Sequence, residues 1–540
     1  VLFQEAMADA LVDQGITAMF GLIGDGNLFI VDAFRRRPDT TYLGVVNEAS
    51  AVEAACGYSQ ATDLLVAATV THGPALTNTV TALVEAVKAR RPLLLIAGDT
   101  DAAVRDHLQD VPQRAVVLAT GAGFEQVRTP LTMAEDLARA VRRALLERRP
   151  VVVNVPVEFQ WQHLDYAPHP SDVEPVQDVL PAPAALDRAG GIIASAERPI
   201  VLAGRGAVTP QARASLLRFA QRLGAPVATT LKARDLFGGE PHDLGVFGTL
   251  SLGPTLDAIT ASDCLISFGA GLNRFTTAEG SLVAKRRLVQ VDIDREAFGR
   301  YEVPDAAVVG DAATVAEAFV ALLDEAEVRP HGFASPELAA ELARARRAVP
   351  PERDGAGFID VHTALHRIEQ AVPAARSVVT DVGRFIGATW THLHVPDPTS
   401  FVHTTNYGAI GLGLGTALGV AIGKPGQPVL LVTGDGGFML GGLNEFSTAV
   451  RNRLDLIVVV LNDKAYGAEH IQFVNRGLDP ELSMFDWPDF GPVATALGGL
   501  GFTVRSVAEL DAALRRLPER DRPVLIDVHL DPEKVRLGGH

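Results

Sequence analysis

Leu430-Leu431-Val432-Thr433-Gly434-Asp435-Gly436-Gly437-Phe438 opens the most informative stretch of this 540-residue chain. A helical pattern continues from it to about Asn452, and Leu456-Ile457-Val458-Val459-Val460-Leu461 then leads to Asn462-Asp463. The order is strand, glycine turn, helix, strand. Short, uninterrupted apolar runs are strands buried on both faces, and a helix between two of them makes the strands parallel neighbours. A right-handed unit of this kind ends both strands on one edge of the sheet, where Asp435 and the Asn462-Asp463 pair approach each other. Hard oxygen donors there suit Mg2+ completed by phosphate oxygens and water. The glycines let the backbone come close, and the helix start offers N–H groups and a positive dipole end to a diphosphate. An Asp and Gly turn closing an ordinary βαβ unit is the plainer reading of the same residues.

The alternation extends outward from this stretch. Met19 to Leu22, Leu65 to Thr71, Leu93 to Ala97 and Val151 to Val155 predict strands of a first segment, opened by an amphipathic helix over Glu5 to Gln14. Pro199 to Gly204, Cys264 to Phe268 and Val289 to Ile293 predict a second, and Val378 to Thr380, Val429 to Thr433, Leu456 to Leu461 and Val524 to Val528 a third. Val155 to Pro183, with Pro156, Pro168, Pro170, Pro175, Pro181 and Pro183, reads as one crossing between segments, and Ser335 to Gly357 as another. A chain this long exceeds one hydrophobic core. The expected fold class is α/β, with three doubly wound parallel-sheet domains at 1–165, 185–340 and 358–540, joined by linkers at 166–184 and 341–357.

Hydrophobic residues make up 47% and charged residues 21% of the chain, a globular composition. With 48 Lys plus Arg against 65 Asp plus Glu, the formal charge of −17 disfavours a nucleic-acid or anionic-membrane surface. Cys56 and Cys264 stand far apart in apolar runs, so neither a disulfide framework nor a cysteine-based zinc site is expected. No apolar run approaches the roughly 20 residues of a membrane-spanning helix, and no secretory leader is recognisable. The expectation is a cytoplasmic protein acting on a small-molecule substrate.

Gly434-Asp435-Gly436 with Asn462-Asp463 downstream resembles the signature of thiamine diphosphate enzymes, the family of acetolactate synthase and the 2-oxo acid decarboxylases. The resemblance implies thiamine diphosphate and Mg2+ held by Gly434, Asp435, Gly436, Gly437, Asp463, Ala465, Tyr466 and Gly467. Family members show two Asn where this chain has Asn462-Asp463. Aligning on Tyr466-Gly467 makes Asp463 the metal ligand with the Ala465 carbonyl, whereas counting from Asp435 favours Asn462; Asp463 is preferred.

Two further stretches carry the same resemblance. Val45-Val46-Asn47-Glu48-Ala49-Ser50 resembles the segment bearing the family's activating Glu, which drives an aminopyrimidine tautomer that deprotonates the thiazolium carbon. Glu48 is the candidate, although a Glu at a helix start is also a common dipole-compensating residue. His72-Gly73-Pro74-Ala75-Leu76-Thr77-Asn78 follows in matching order, with Asn78 at the cofactor. Asn406-Tyr407-Gly408-Ala409-Ile410-Gly411 resembles the stretch whose bulky side chain, here Ile410, bends the cofactor, while the Gly408 carbonyl accepts from its amine. The resemblance spans essentially the whole chain and implies a homodimer at minimum, with a homotetramer expected, because Glu48 serves a cofactor held by a partner.

The reaction is read less sharply. Asp25, in Gly24-Asp25-Gly26-Asn27-Leu28, and Glu469 match acids of simple 2-oxo acid decarboxylases, and His72 and His470 are the preferred histidines over His107 and His403. Leu108-Gln109-Asp110 resembles acetolactate synthase, but Leu108 stands where that enzyme has Phe, and Gln472 where it has Trp. The expected chemistry is therefore non-oxidative decarboxylation, or C–C lyase or carboligase chemistry on a 2-oxo acid or 2-hydroxy ketone. An acetolactate synthase-type carboligase and a non-catalytic thiamine-binding homologue are the alternatives. FAD is permitted by Gly204-Arg205-Gly206 and Gly269-Ala270-Gly271 but not favoured, since both read equally as tight turns. A Rossmann dehydrogenase is disfavoured because Gly21 to Gly26 lacks the helix-opening glycine spacing.

Overall fold

The computed structural model describes residues 1–171, 173, 178–352, 354–355 and 357–533. Parts of both expected crossings, including Pro175, thus lie outside the described residues. Two compact units emerge. The first comprises Val1–Val173, Pro351–Leu393 and Val402–Gly538, and the second Glu174–Pro350 with His394–Phe401 and Gly539–His540.

Unit one contains two six-stranded parallel sheets and a short antiparallel pair, Asp354–Gly355 with Phe358–Ile359. The first is built from β1 (Ala18–Gly21), β2 (Thr41–Gly44), β3 (Ala67–Val70), β4 (Leu93–Asp99), β5 (Gly123–Gln126) and β6 (Pro150–Pro156), in the order β2-β1-β3-β4-β6-β5. Unit two carries a sheet of β7 (Pro199–Ala203), β8 (Val227–Thr229), β9 (Asp243–Val246), β10 (Cys264–Phe268), β11 (Arg287–Asp292) and β12 (Ala306–Val309), ordered β12-β11-β10-β7-β8-β9. The remaining sheet of unit one has β13 (Ser377–Thr380), β14 (Phe401–His403), β15 (Val429–Gly434), β16 (Leu456–Asn462), β17 (Leu500–Val504) and β18 (Val524–His529), ordered β14-β13-β15-β16-β18-β17. The two sheets of unit one therefore share one winding pattern.

The expected central strands are present, each within one or two residues of its run. β2, β5, β8, β9, β12, β14 and β17 were not anticipated. They are short or carry polar residues, as in Thr41-Tyr42-Leu43-Gly44, so they lack the buried apolar signature. Where the second crossing was expected, Pro336–Arg346 forms a helix: Ser335 caps it through the Leu338 N–H and Pro336 pre-sets its first turn.

Unit one is held together by the Glu48–Thr62 and Gly413–Gly423 helices. Small residues let their backbones approach: a Cβ on Gly419 would overlap the Ala54 carbonyl, and one on Gly57 the Thr416 carbonyl. Gly419→Ala and Gly57→Ala are each expected to destabilise unit one by about 1–3 kcal/mol. Gly191→Ala, on a helix of unit two with open space around it, should leave stability unchanged or raise it by up to about 1 kcal/mol. Chemical denaturation of the three variants checks both statements.

Candidate functional site

Both sheets of unit one reverse direction beside their first strand, between β1 and β3 and between β13 and β15. In open α/β sheets such a reversal leaves a crevice beyond the strand ends, where ligands bind. The chemistry-bearing residues collect at these two places.

Beyond β15 and β16, Asp435 and Asp463 come together. Asp463 Oδ1 accepts from the Ala465 N–H at 3.1 Å, and the same N–H lies close enough to favour the charged form of Asp435. Asp435 is 2% exposed, and its Oδ2 has no hydrogen-bond partner. Burial, and then the Asp463 charge, push its carboxyl up to about 8. Burial raises Asp463 as well, against the opposing pull of Arg384, whose Nε lies 2.6 Å from Asp463 Oδ2. An orphaned, buried oxygen beside a second carboxylate fits a divalent cation. Gly436 passes so close under the Tyr466 ring that a Cβ would lie 2.6 Å from it.

Asn462 is turned away from this pair. Its Nδ2 donates to Asp527 at 2.9 Å and its Oδ1 accepts from the Lys464 N–H at 3.1 Å. Asp527 also caps the Phe490 N–H, and with Asp489 and His529 it forms a tight cluster. Arg505 grips both oxygens of Asp489 there, so the cluster already has an internal cation.

Asp381, just past β13, was missed by the sequence reading. It is fully enclosed and accepts from the Gly411 N–H at 3.0 Å, Thr433 at 3.1 Å and Thr404 at 3.2 Å, while burial raises its carboxyl above the usual range. It thereby fixes the turn that carries Ile410. Gly411 adopts φ +88° against the Gly437 and Gly441 backbone, a conformation and a closeness that suit only glycine. Gly408 lies exposed and Ile410 half-buried.

Glu48 opens its helix behind an Asn47 cap, half-buried, with its Oε2 accepting from Asn78 Nδ2 at 3.0 Å. Beyond β1 and β3, Thr71 donates to Asp25 at 2.9 Å, and His72 Nδ1 lies 3.9 Å from the same carboxylate. His72 Nε2 is buried without a partner, and the His107 ring packs edge-on at 5.6 Å. His470 differs: Nδ1 meets Ser483 and Nε2 meets Glu533, so both nitrogens are engaged. Glu469 faces outward on the helix that begins at Gly467, and His403 meets Thr405. Leu108 is 93% exposed.

Four acids lie within unit one behind these loops. Glu445 accepts from the Val46 N–H at 3.0 Å, beside Glu48, and Glu85 accepts from Asn406 Nδ2 and the Tyr407 N–H, both at 2.6 Å. Glu53 is wholly buried, and burial together with Glu445, Asp381 and Glu85 raises its carboxyl well above the ordinary range. Sequence patterning hides such residues, since Glu within a helix reads as surface.

A carboxyl raised in the folded state binds its proton more tightly folded than unfolded. Its contribution to stability therefore falls as pH rises from 3.8 towards about 8 for Asp435. Without divalent cation, Asp435→Asn should become progressively more stable than the parent between pH 5 and pH 8. Added Mg2+ with thiamine diphosphate should raise the parent's melting temperature more at pH 8 than at pH 5; thermal scans across pH read both effects.

Comparison with known proteins gives three domain matches in order. The thiamine pyrophosphate enzyme N-terminal TPP binding domain matches residues 3–119, the central domain 186–319, and the C-terminal TPP binding domain 381–528. The acetolactate synthase large subunit of Haemophilus influenzae is 25% identical over 548 residues, covering 98% of this chain and 94% of that protein. The probable acetolactate synthase large subunit of Methanococcus aeolicus is 26% identical, covering 98% and 92%. Sulfoacetaldehyde acetyltransferase of Roseovarius nubinhibens is 27% identical, covering 95% and 89%.

Proposed function

Since this chain belongs to the thiamine pyrophosphate enzymes, we propose that it holds thiamine diphosphate through Mg2+ bound by Asp435, Asp463 and the Ala465 carbonyl. The enzyme carries out thiamine-dependent carboligase or C–C lyase chemistry, here on a 2-oxo acid or 2-hydroxy ketone. The observation that carries the metal assignment is the burial of Asp435 beside the Asp463 carboxylate, with one Asp435 oxygen left without a hydrogen-bond partner. Gly434, Gly436, Gly437, Tyr466 and Gly467 line the diphosphate, and Gly408 and Ile410 the aminopyrimidine side. Bound there, the cofactor supplies an electron sink for the carbon beside the substrate carbonyl.

Glu48, oriented by Asn78, holds the proton shared with the aminopyrimidine nitrogen. Asp25 and His72, with His107 beside them, handle protons on the substrate. The exposure of Glu469 and the engaged nitrogens of His470 make these two weaker candidates. A partner subunit completing the site fits the exposed Val46, Tyr407 and Leu440 next to the Glu48 and Ile410 loops; a homodimer or homotetramer follows from this reading. The three domains are proposed at 1–165, 185–340 and 358–540. A flavin is not favoured: in unit two the Gly206 N–H donates to the Gly269 carbonyl at 3.0 Å, so the two glycine turns tie to each other. Buried Cys56 and Cys264, in different units, suit a cytoplasmic location.

Calorimetry should show thiamine diphosphate binding with Mg2+ and none in excess chelator; equal binding in both would reject the metal assignment. Incubation with a panel of 2-oxo acids should yield either aldehydes or acyloins, which separates the lyase from the carboligase outcome. Glu48→Gln should bind the cofactor nearly as the parent does, yet exchange the thiazolium proton with deuterium at least about a hundredfold more slowly.

A further inference from the structure

Arg384 is buried, at 4% exposure, at the strand ends of the C-terminal sheet. It stands just past β13, one turn beyond Asp381. Its Nε and Nη2 both reach Asp463 Oδ2 at 2.6 Å, and its Nη1 donates to the Pro532 carbonyl at 2.8 Å. Asp463 Oδ1 is left on the Ala465 side, the side shared with Asp435. Gly467 seals the pair from above: a Cβ there would lie 2.5 Å from Arg384 Nε and 2.8 Å from Asp463 Oδ2.

We infer that Arg384 is a positioning residue for the metal site, holding Asp463 by one oxygen so that the other faces the cation, and cancelling one of the two carboxylate charges. The physical need is plain. Two adjacent carboxylates enclosed away from water repel each other, and a diphosphate brought to the same place adds further negative charge. A single dication leaves that site over-supplied with anion. A fixed guanidinium, planar and always charged, restores the balance without competing for the cation's coordination positions, because it occupies the far oxygen. It also orients the ligand as outer hydrogen-bond partners do in metal sites generally. Arg384 and Asp463 then form a matched pair: Arg384 offsets the extra charge that an Asp ligand brings, and an uncharged side chain at 463 would leave the Arg384 charge facing the metal without that carboxylate between them.

The inference rests on Asp463 being a ligand of the thiamine site, and its test separates the two. Mn2+ is titrated into the full chain at saturating thiamine diphosphate, and free Mn2+ is read by electron paramagnetic resonance. Asp463→Asn should weaken Mn2+ binding at least about tenfold, while Asp463→Asn with Arg384→Gln should return it to within about threefold of the parent. Arg384→Gln alone should lower the metal-free melting temperature and enlarge the gain on adding Mn2+. The double variant removes both charges of the pair together, so it should fold, as circular dichroism would report, even if Arg384→Gln does not. A folded double variant that binds Mn2+ no better than Asp463→Asn would overturn the role of Arg384 while leaving the metal site standing. Absence of thiamine-dependent Mn2+ binding in the parent would remove the site itself, and the inference with it.

Discussion

A charged group at the dry end of a parallel sheet must be answered, and this molecule is organised around that constraint. Strands buried on both faces deliver their C-terminal residues into a crevice with little water, where each carboxylate needs donors, a cation or a proton. Asp381 has four hydrogen-bond donors around it and serves as an anchor for the Gly411 turn. Asp463 has a guanidinium. Asp435 has only part of what it needs, since its Oδ2 is buried without a hydrogen-bond partner.

The same principle ties the two halves of unit one together. Glu445, from the C-terminal half, holds the loop in front of Glu48, while Glu85, from the N-terminal half, holds the loop in front of Ile410. The arrangement is reciprocal, as the shared winding of the two sheets allows. Between them the Glu48–Thr62 and Gly413–Gly423 helices pack backbone to backbone, with Glu53 enclosed at their contact. The loops proposed to activate and to bend the cofactor are thus each braced by a carboxylate from the other half, so a change in one loop is felt at the other through packed and hydrogen-bonded neighbours.

Unit two follows a different winding, and its strand-end turns meet each other through the Gly206 and Gly269 backbones. The glycines that resemble dinucleotide signals in sequence act there in close backbone packing. A glycine-rich turn has one appearance in sequence and two uses in structure, and only the neighbouring strand distinguishes them.

Long apolar runs, glycine turns and the order of motifs are local properties, so the sequence by itself determined three α/β sheets, their central strands and the identity of Asp435, Glu48 and Ile410 as candidates. Edge strands such as β2 and β17 escaped because partial exposure erases their apolar signature. Between Asn462 and Asp463 the sequence preferred Asp463 on the Tyr466-Gly467 spacing alone; the folded chain adds that adjacent strand-end residues point to opposite sides and that Asn462 turns to Asp527 on β18. Arg384, Glu53, Glu85 and Glu445 were invisible for a related reason. A charged residue reads as surface until tertiary structure brings its counter-charge or donors to it across many residues of chain, and only the folded molecule decides which charges are buried and what answers them.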